Sequence, residues 1–164
     1  MAVYGVVSDF NLTDQSGAPF SSVSTLQDKV WVAAFIYTNC PGPCPRMSSQ
    51  LRQVQKEFSG LDGIRFVSIT VDPERDTPAV LTEYAKHFEA DTAQWFFLTG
   101  SKEQLNDLSR RVFMLGDVDS TLEHSTRFAL IDRDMRIRGY YASLEKDSIP
   151  HLIADARTLL SDRT

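Results

Sequence analysis

A chain of 164 residues, 42% hydrophobic and 24% charged, is long enough to bury one sizeable core and has an ordinary globular make-up. Its net charge of −5, with no basic cluster larger than Arg110-Arg111, argues against nucleic acid, whose binding needs grouped Lys and Arg to neutralise phosphates. The longest apolar run, Val30 to Tyr37, is far shorter than the ~20 residues that cross a bilayer, and no basic region followed by an apolar stretch opens the chain as a signal peptide would.

In chain order, Phe10–Thr13 alternates like a strand, Ser16-Gly17 turns, and Pro19-Phe20 begins a return strand, which predicts a hairpin. Val30–Tyr37 is short, β-branched and aromatic, the pattern of a buried strand. Met47, Leu51, Val54 and Phe58 then step by four, three and four, as one face of a helix does, and Gly60 and Gly63 end it. Ile64–Val71 reads as a second core strand. Asp76-Thr77-Pro78 opens a helix with a capping side chain followed by proline, and Val80, Leu81, Tyr84, Ala85 and Phe88 form its inner face. Trp95–Leu98 is a short strand, and Leu105, Leu108 and Val112 mark another helix. Phe128–Asp132 and Met135–Tyr141 pair across a turn at Arg133-Asp134, and Asp147 or Ser148 starts a last helix with Ile149, Leu152, Ile153, Ala156, Leu159 and Leu160 inside.

This order predicts one α/β domain over residues 1–164, with early β-α-β units giving parallel strands and helices on both faces. It is the thioredoxin-like plan: a central mixed sheet, with an added N-terminal β-hairpin and an inserted helix.

Both cysteines of the chain fall in one turn, Cys40-Pro41-Gly42-Pro43-Cys44-Pro45, between the first core strand and the helix after it. Functional groups in such sheets gather where strands end and helices begin. Pro45 fits the first helical position, so Cys44 is expected at or beside the N-cap, where unpaired amides favour a thiolate. Pro41 and Pro43 are expected to bar regular helix between the thiols. Four residues around one turn permit either a disulfide or chelation of one metal. Two buried apolar thiols would not need three prolines and a helix start, and a structural disulfide would gain little chain entropy from so short a loop.

Of the three histidines, His87 and His151 sit in helices beside core positions and are read as surface residues. His124 follows the polar stretch Gly116–Thr121 and precedes a core strand; the residues alone leave it either a ligand or a loop side chain. Asp72 follows the second parallel strand and so should lie near the cysteine turn. It and Arg75 are candidates to orient a ligand, hold a thiol proton or anchor the loop, while Asp76 is expected to cap the next helix.

These segments resemble the Sco/SenC copper proteins, thioredoxin-fold assembly factors of cytochrome c oxidase. Cys40-Pro41-Gly42-Pro43-Cys44-Pro45 is similar to that family's CPxxCP signature, Val71-Asp72-Pro73-Glu74-Arg75-Asp76-Thr77-Pro78 to its VDPxRDTP block, and Glu123-His124-Ser125-Thr126 with Leu130-Ile131-Asp132 to its DHS/T…LID segment. The resemblance implies that Cys40, Cys44 and His124 bind one copper ion, with Asp72, Pro41 and Pro45 in support. Two thiolates favour Cu(I), and an added imidazole can hold Cu(II). It further implies a metallochaperone that delivers copper to the dinuclear copper centre of cytochrome c oxidase, or reduces that centre's cysteines. The partner is then the oxidase subunit carrying that centre, or another copper or thiol protein. The expected place is the extracytoplasmic side of a membrane, through an anchor not present in these residues. Gly42 stands where the family has Asp or Asn, Pro43 where it has a larger apolar residue, and Glu123 where it has Asp; a stiffer, less negative turn would alter affinity or potential.

The alternative is a metal-independent thiol-disulfide oxidoreductase with Cys40 and Cys44 as its redox-active pair, although the usual spacing is one residue shorter. A peroxidase of the peroxiredoxin type would need Thr and Pro where Tyr37 and Ala33 stand. Structural zinc would want a fourth protein ligand, and none is evident.

Overall fold

The computed structural model describes residues 1–39, 43–113 and 126–162. Its elements are β1 (Gly5–Val6), β2 (Asn11–Asp14), β3 (Pro19–Ser21), α1 (Ser22–Leu26), β4 (Val30–Ile36), α2 (Pro43–Glu57), β5 (Ile64–Thr70), α3 (Pro78–His87), β6 (Trp95–Thr99), α4 (Lys102–Asp107), β7 (Arg127–Ile131), β8 (Arg136–Ala142) and α5 (Ser148–Ser161). A π-helical turn, Leu108–Val112, continues α4.

The strands form one eight-stranded sheet in the order β1-β8-β7-β4-β5-β6-β2-β3. β4, β5 and β6 are mutually parallel, as the β-α-β order requires, and β7 runs antiparallel to β4. The β2–β3 hairpin is joined antiparallel to β6. Its turn is held by Asp14, whose Oδ1 accepts the Ser16 and Ala18 amides at 2.9 and 3.2 Å, with Gly17 at φ +85°. This is the thioredoxin-like arrangement with the hairpin added at one side.

All seven residues of β4 are buried, so the strand feeds two cores. Val30, Val32, Ala34 and Ile36 face Met47, Leu51, Val54 and Phe58 of α2 and its continuation, with Leu152 and Ala156 of α5 in the same cluster. Trp31, Ala33 and Phe35 face Leu26, Leu105, Leu108 and Phe113 on the opposite side. Phe113 meets Trp31 and Phe35 edge-on, with centroids 5.8 and 5.4 Å away.

Two short elements go unpredicted and two local expectations change. β1 is two residues long and α1 five, too short for periodicity to reveal. Instead α1 is fastened by its first residue: Phe10 donates its amide to Ser22 Oγ at 2.9 Å, and Ser22 returns its own amide to the Phe10 carbonyl at 3.0 Å. The Leu105–Val112 segment is not one uniform helix. Leu108 and Phe113 are both buried five residues apart, and the wider turn closes on a 2.7 Å bond from the Phe113 amide to the Leu108 carbonyl. Val80, expected on the inner face of α3, is 38% exposed; Leu81 and Ala85 hold that face.

Asp132 directly follows β7 and is the acid of the Leu130-Ile131-Asp132 segment. Its Oδ1 accepts the Asp134 and Arg136 amides at 2.9 and 3.0 Å, and its Oδ2 accepts Arg136 Nε and Arg138 Nη1, both at 2.9 Å. Burial pushes this carboxyl up. The Arg136 amide, the Arg138 guanidinium, the Asp134 amide and the Arg136 guanidinium together outweigh it, so Asp132 titrates below the ordinary carboxylate range. A folded value depressed below the unfolded one, near 3.8, means stabilisation that is complete above that pH and lost as pH falls through the folded value. Asp132→Asn is expected to cost roughly 1–3 kcal/mol at neutral pH. Its deficit should shrink as pH drops below the unfolded value, as measured by urea unfolding across that range.

Candidate metal centre

Three chain segments run to one edge of the sheet. β4 leaves it through Tyr37, Thr38 and Asn39, after its pairing with β5 is extended by a 2.8 Å bond from the Val71 amide to the Ile36 carbonyl. α2 begins at Pro43. β7, antiparallel to β4 with Trp31 opposite Ile131 and Ala33 opposite Ala129, starts at the end where β4 finishes. Cys40, Pro41, Gly42, Glu123 and His124 lie outside the described residues.

Cys44 is the second residue of α2 rather than its cap, and Pro43 lies inside the helix instead of barring it. The physical reason is that the first turn has no intrahelical use for its amides, so prolines at 43 and 45 cost no helical bond. Cys44 is 4% exposed and belongs to the core cluster of Met47, Leu51 and Leu81, whereas Pro45 is exposed. The Tyr84 hydroxyl, on α3, reaches the Cys44 carbonyl at 3.5 Å and shares a 2.7 Å hydrogen bond with Ser48 Oγ. The first turn of α2 is thereby tied to α3.

Asp76 does not cap α3. Thr77 does, accepting the Val80 amide at 3.4 Å, with Pro78 next. The Asp76 side chain turns inward and is fully buried. Its Oδ2 accepts the Thr38 amide at 3.0 Å and the Thr70 hydroxyl at 2.6 Å, and its Oδ1 accepts the Thr38 hydroxyl in a short hydrogen bond. Thr70 Oγ1 in turn accepts the Asp72 amide at 2.9 Å, and the Asp72 carbonyl accepts the amides of Arg75 and Asp76. One carboxylate thus joins the exit of β4, two residues before Cys40, to the exit of β5.

Asp72 lies at this edge as expected, but it serves the turn through its backbone. Its carboxylate, 37% exposed, faces Arg75 Nε at 3.7 Å. Anchoring falls to Asp76.

A second polar cluster holds the start of β7. The Ser143 amide donates to the Thr126 carbonyl at 2.9 Å. Ser143 Oγ donates to Gln50 Oε1 at 2.6 Å, and Gln50 Nε2 donates back to the Ser143 carbonyl at 3.0 Å. Thr126, two residues after His124, is so linked to α2, the helix that carries Cys44. On the other side of residues 114–125, the Phe113 carbonyl accepts the Tyr140 hydroxyl at 2.7 Å. Tyr140 also carries the Arg127 guanidinium over its ring at 4.9 Å.

His87 and His151 are both exposed helix residues. Among the described residues no group of three His, Cys, Asp or Glu side chains is placed to hold a metal ion; of the three predicted ligands, Cys44 alone is described.

The model of the SCO1/SenC family matches residues 3–161. The chain belongs to this family. The SCO1 homologue of Bacillus subtilis is 28% identical over 158 residues, 93% of this chain and 81% of its own. A Stutzerimonas stutzeri protein named for copper binding is 31% identical over 156 residues, 90% of this chain and 74% of its own. Among solved structures, a SCO1/SenC lipoprotein of Bacillus anthracis superposes with a TM-score of 0.81 at 30% identity, covering 97% of this chain and 99% of that one. BsSco, described as a member of the Sco family of cytochrome c oxidase assembly proteins and as containing a disulfide switch, gives 0.85 at 26% identity, covering 99% and 98%.

In this SCO1/SenC chain the residues missed at the edge are the polar ones behind it: Thr38, Ser48, Gln50, Thr70, Tyr84 and Ser143. One signal was readable. A helix needs a single capping side chain, and Thr77 stands directly before Pro78, which leaves Asp76 free for other work. Asp76→Ala strips the acceptor from three donors, two of them hydroxyls, and should cost about 3 kcal/mol or more. Thr77→Ala should cost about 1 kcal/mol, as a lost cap does. Paired urea titrations check the order; a larger loss at Thr77 would return Asp76 to the role of a cap.

Proposed function

We propose that this chain is a copper-handling protein of the Sco type. It takes up one copper ion at Cys40, Cys44 and His124, and passes it to the dinuclear copper centre of cytochrome c oxidase or reduces the cysteines of that centre. The observation that carries this reading is the meeting, at one sheet edge, of the segments on which the CPxxCP and DHS/T motifs lie. β4 leads toward Cys40, α2 begins with Cys44 in its first turn, and β7 starts just after His124. Family membership and the copper-binding name of the Stutzerimonas relative support it.

The donor set suits this cargo. Two thiolates hold Cu(I), and the imidazole extends the set to Cu(II). Transfer proceeds by ligand exchange, an incoming partner thiol losing its proton to bind as a protein thiolate leaves and regains one. In the reductive role one thiolate attacks a disulfide of the partner and forms a mixed disulfide. The other then displaces it, so the partner leaves with two thiols and Cys40–Cys44 is left as the disulfide. The disulfide switch named for BsSco favours keeping this second role beside the first. Among the described residues no helix is long and apolar enough to cross a membrane. We place the work on the extracytoplasmic side of one, in keeping with the lipoprotein character named for the Bacillus anthracis relative.

The test is titration of the reduced, metal-free protein with Cu(I) and Cu(II), following absorbance and metal content. One copper per chain is expected, with thiolate-to-Cu(II) charge-transfer bands that shift in His124→Ala. An unchanged spectrum and stoichiometry in that variant would defeat the three-ligand reading. Failure to hold copper, with thiols that still cycle, would leave a dithiol oxidoreductase.

A further inference from the structure

Resting on that three-ligand reading, we infer that two separate buried polar clamps position the centre. Asp76 sets the cysteine arm, and the Gln50–Ser143 pair sets the histidine arm, so each arm can be disturbed without the other.

The two clusters share no residue. Asp76 is 0% exposed, and its carboxylate takes three hydrogen bonds, two from Thr38 and one from Thr70. Thr38 lies two residues before Cys40, so the carboxylate fixes both the backbone direction and the side chain at the root of that arm. The hydrogen bonds of this clamp run between the exits of β4 and β5. The second cluster joins α2 to β7 and the end of β8. Ser143 is 4% exposed; its amide holds Thr126, and its hydroxyl and carbonyl both engage the Gln50 amide group. Gln50 stands on α2 six residues beyond Cys44, so this pair sets the start of β7 against the helix that bears one thiol.

The difference in chemistry follows from what each clamp holds. The balance between dithiol and disulfide depends on how Cys40 sits relative to Cys44, and Thr38 governs the approach of the first. Gln50 bonds through its side-chain amide to a loop beyond β8, so losing those bonds leaves the α2 backbone and the Thr38 anchor in place. What it loosens is the segment that follows His124. Cu(II), which needs the imidazole, should register this loss more than the thiols do.

Two variants separate the arms. Asp76→Asn removes the charge and turns one of the two accepting oxygens into a donor, so the Thr38 amide, the Thr38 hydroxyl and the Thr70 hydroxyl can no longer all donate to it. Gln50→Met keeps the length of the side chain and removes both bonds to Ser143. Should Asp76→Asn fail to fold, Thr38→Val removes only the hydroxyl bond and serves in its place. Circular dichroism and a thermal melt establish folding first.

Thiol–disulfide equilibrium against a glutathione series should shift about tenfold in Asp76→Asn, about 30 mV for this two-electron couple, and stay within about twofold of the parent in Gln50→Met. The Cu(II) charge-transfer spectrum of Gln50→Met should move toward that of His124→Ala, with Cu(II) held roughly tenfold more weakly and Cu(I) unaltered. Ser143→Thr, which keeps the hydroxyl, should restore the parent spectrum where Ser143→Ala does not. Equal movement of the thiol equilibrium in both variants, or no movement in either, overturns the two-clamp inference. So does a Gln50→Met spectrum identical to the parent when His124→Ala alters it. If the parent holds no copper or His124→Ala is silent, the three-ligand reading falls, and the thiol equilibrium alone then decides whether Asp76 positions the cysteine arm.

Discussion

β4 is buried along its whole length and hydrogen-bonded on both sides, and the segments that reach the candidate centre are set against it: β5 and β7 by pairing, α2 by packing. Such a strand cannot slide. A shift of one residue would turn Trp31 and Phe35 into the layer built for Val32 and Ala34. Its exit is therefore a fixed point in the molecule, and the chain that follows inherits a defined direction. Thioredoxin-like sheets put chemistry beyond such exits because the neighbouring parallel strand ends there too, and here Ile36 is level with Thr70.

Asp76 uses that alignment. A carboxyl group buried in an apolar interior is costly, and it is tolerated where hydrogen bonds replace its water. Thr38 and Thr70 stand just past and at the ends of adjacent strands, close enough to supply them. Removing the acid would take from two threonine hydroxyls and the Thr38 amide the acceptor they share. The arrangement ties the exit of β4 at Thr38 to the exit of β5, while Tyr84 and Ser48 tie the first turn of α2 to α3.

The elements legible from the residues are those built by repetition. The four-three-four steps of α2, the apolar blocks of β4 and β5 and the pairing of β7 with β8 all emerge from side-chain pattern, because burial of one face is a periodic demand. What stayed hidden depends on single contacts. α1 rests on one serine, the π-helical turn on the five-residue spacing of Leu108 and Phe113, and the true start of α2 on a second proline being admissible in a first turn. The same division runs through the centre. Motif spacing identified the segments that converge, whereas the buried acid and the glutamine–serine pair are polar residues in apolar surroundings, which no periodicity announces. Asp caps helices well, which points to Asp76 as the cap, yet the threonine beside it caps instead.

The two outermost strands are two and three residues long, and β3 begins with proline. Unpaired backbone groups at a sheet margin are an invitation to any passing extended chain, and brevity and proline withdraw it. An eight-stranded sheet with such blunt margins offers other proteins little purchase for strand addition. Encounters are thereby steered away from the sides of the sheet and toward its strand ends, where β4 and β5 finish and α2 begins. Margins of this kind keep extended chains from adding to the sheet and leave its strand ends as the open face.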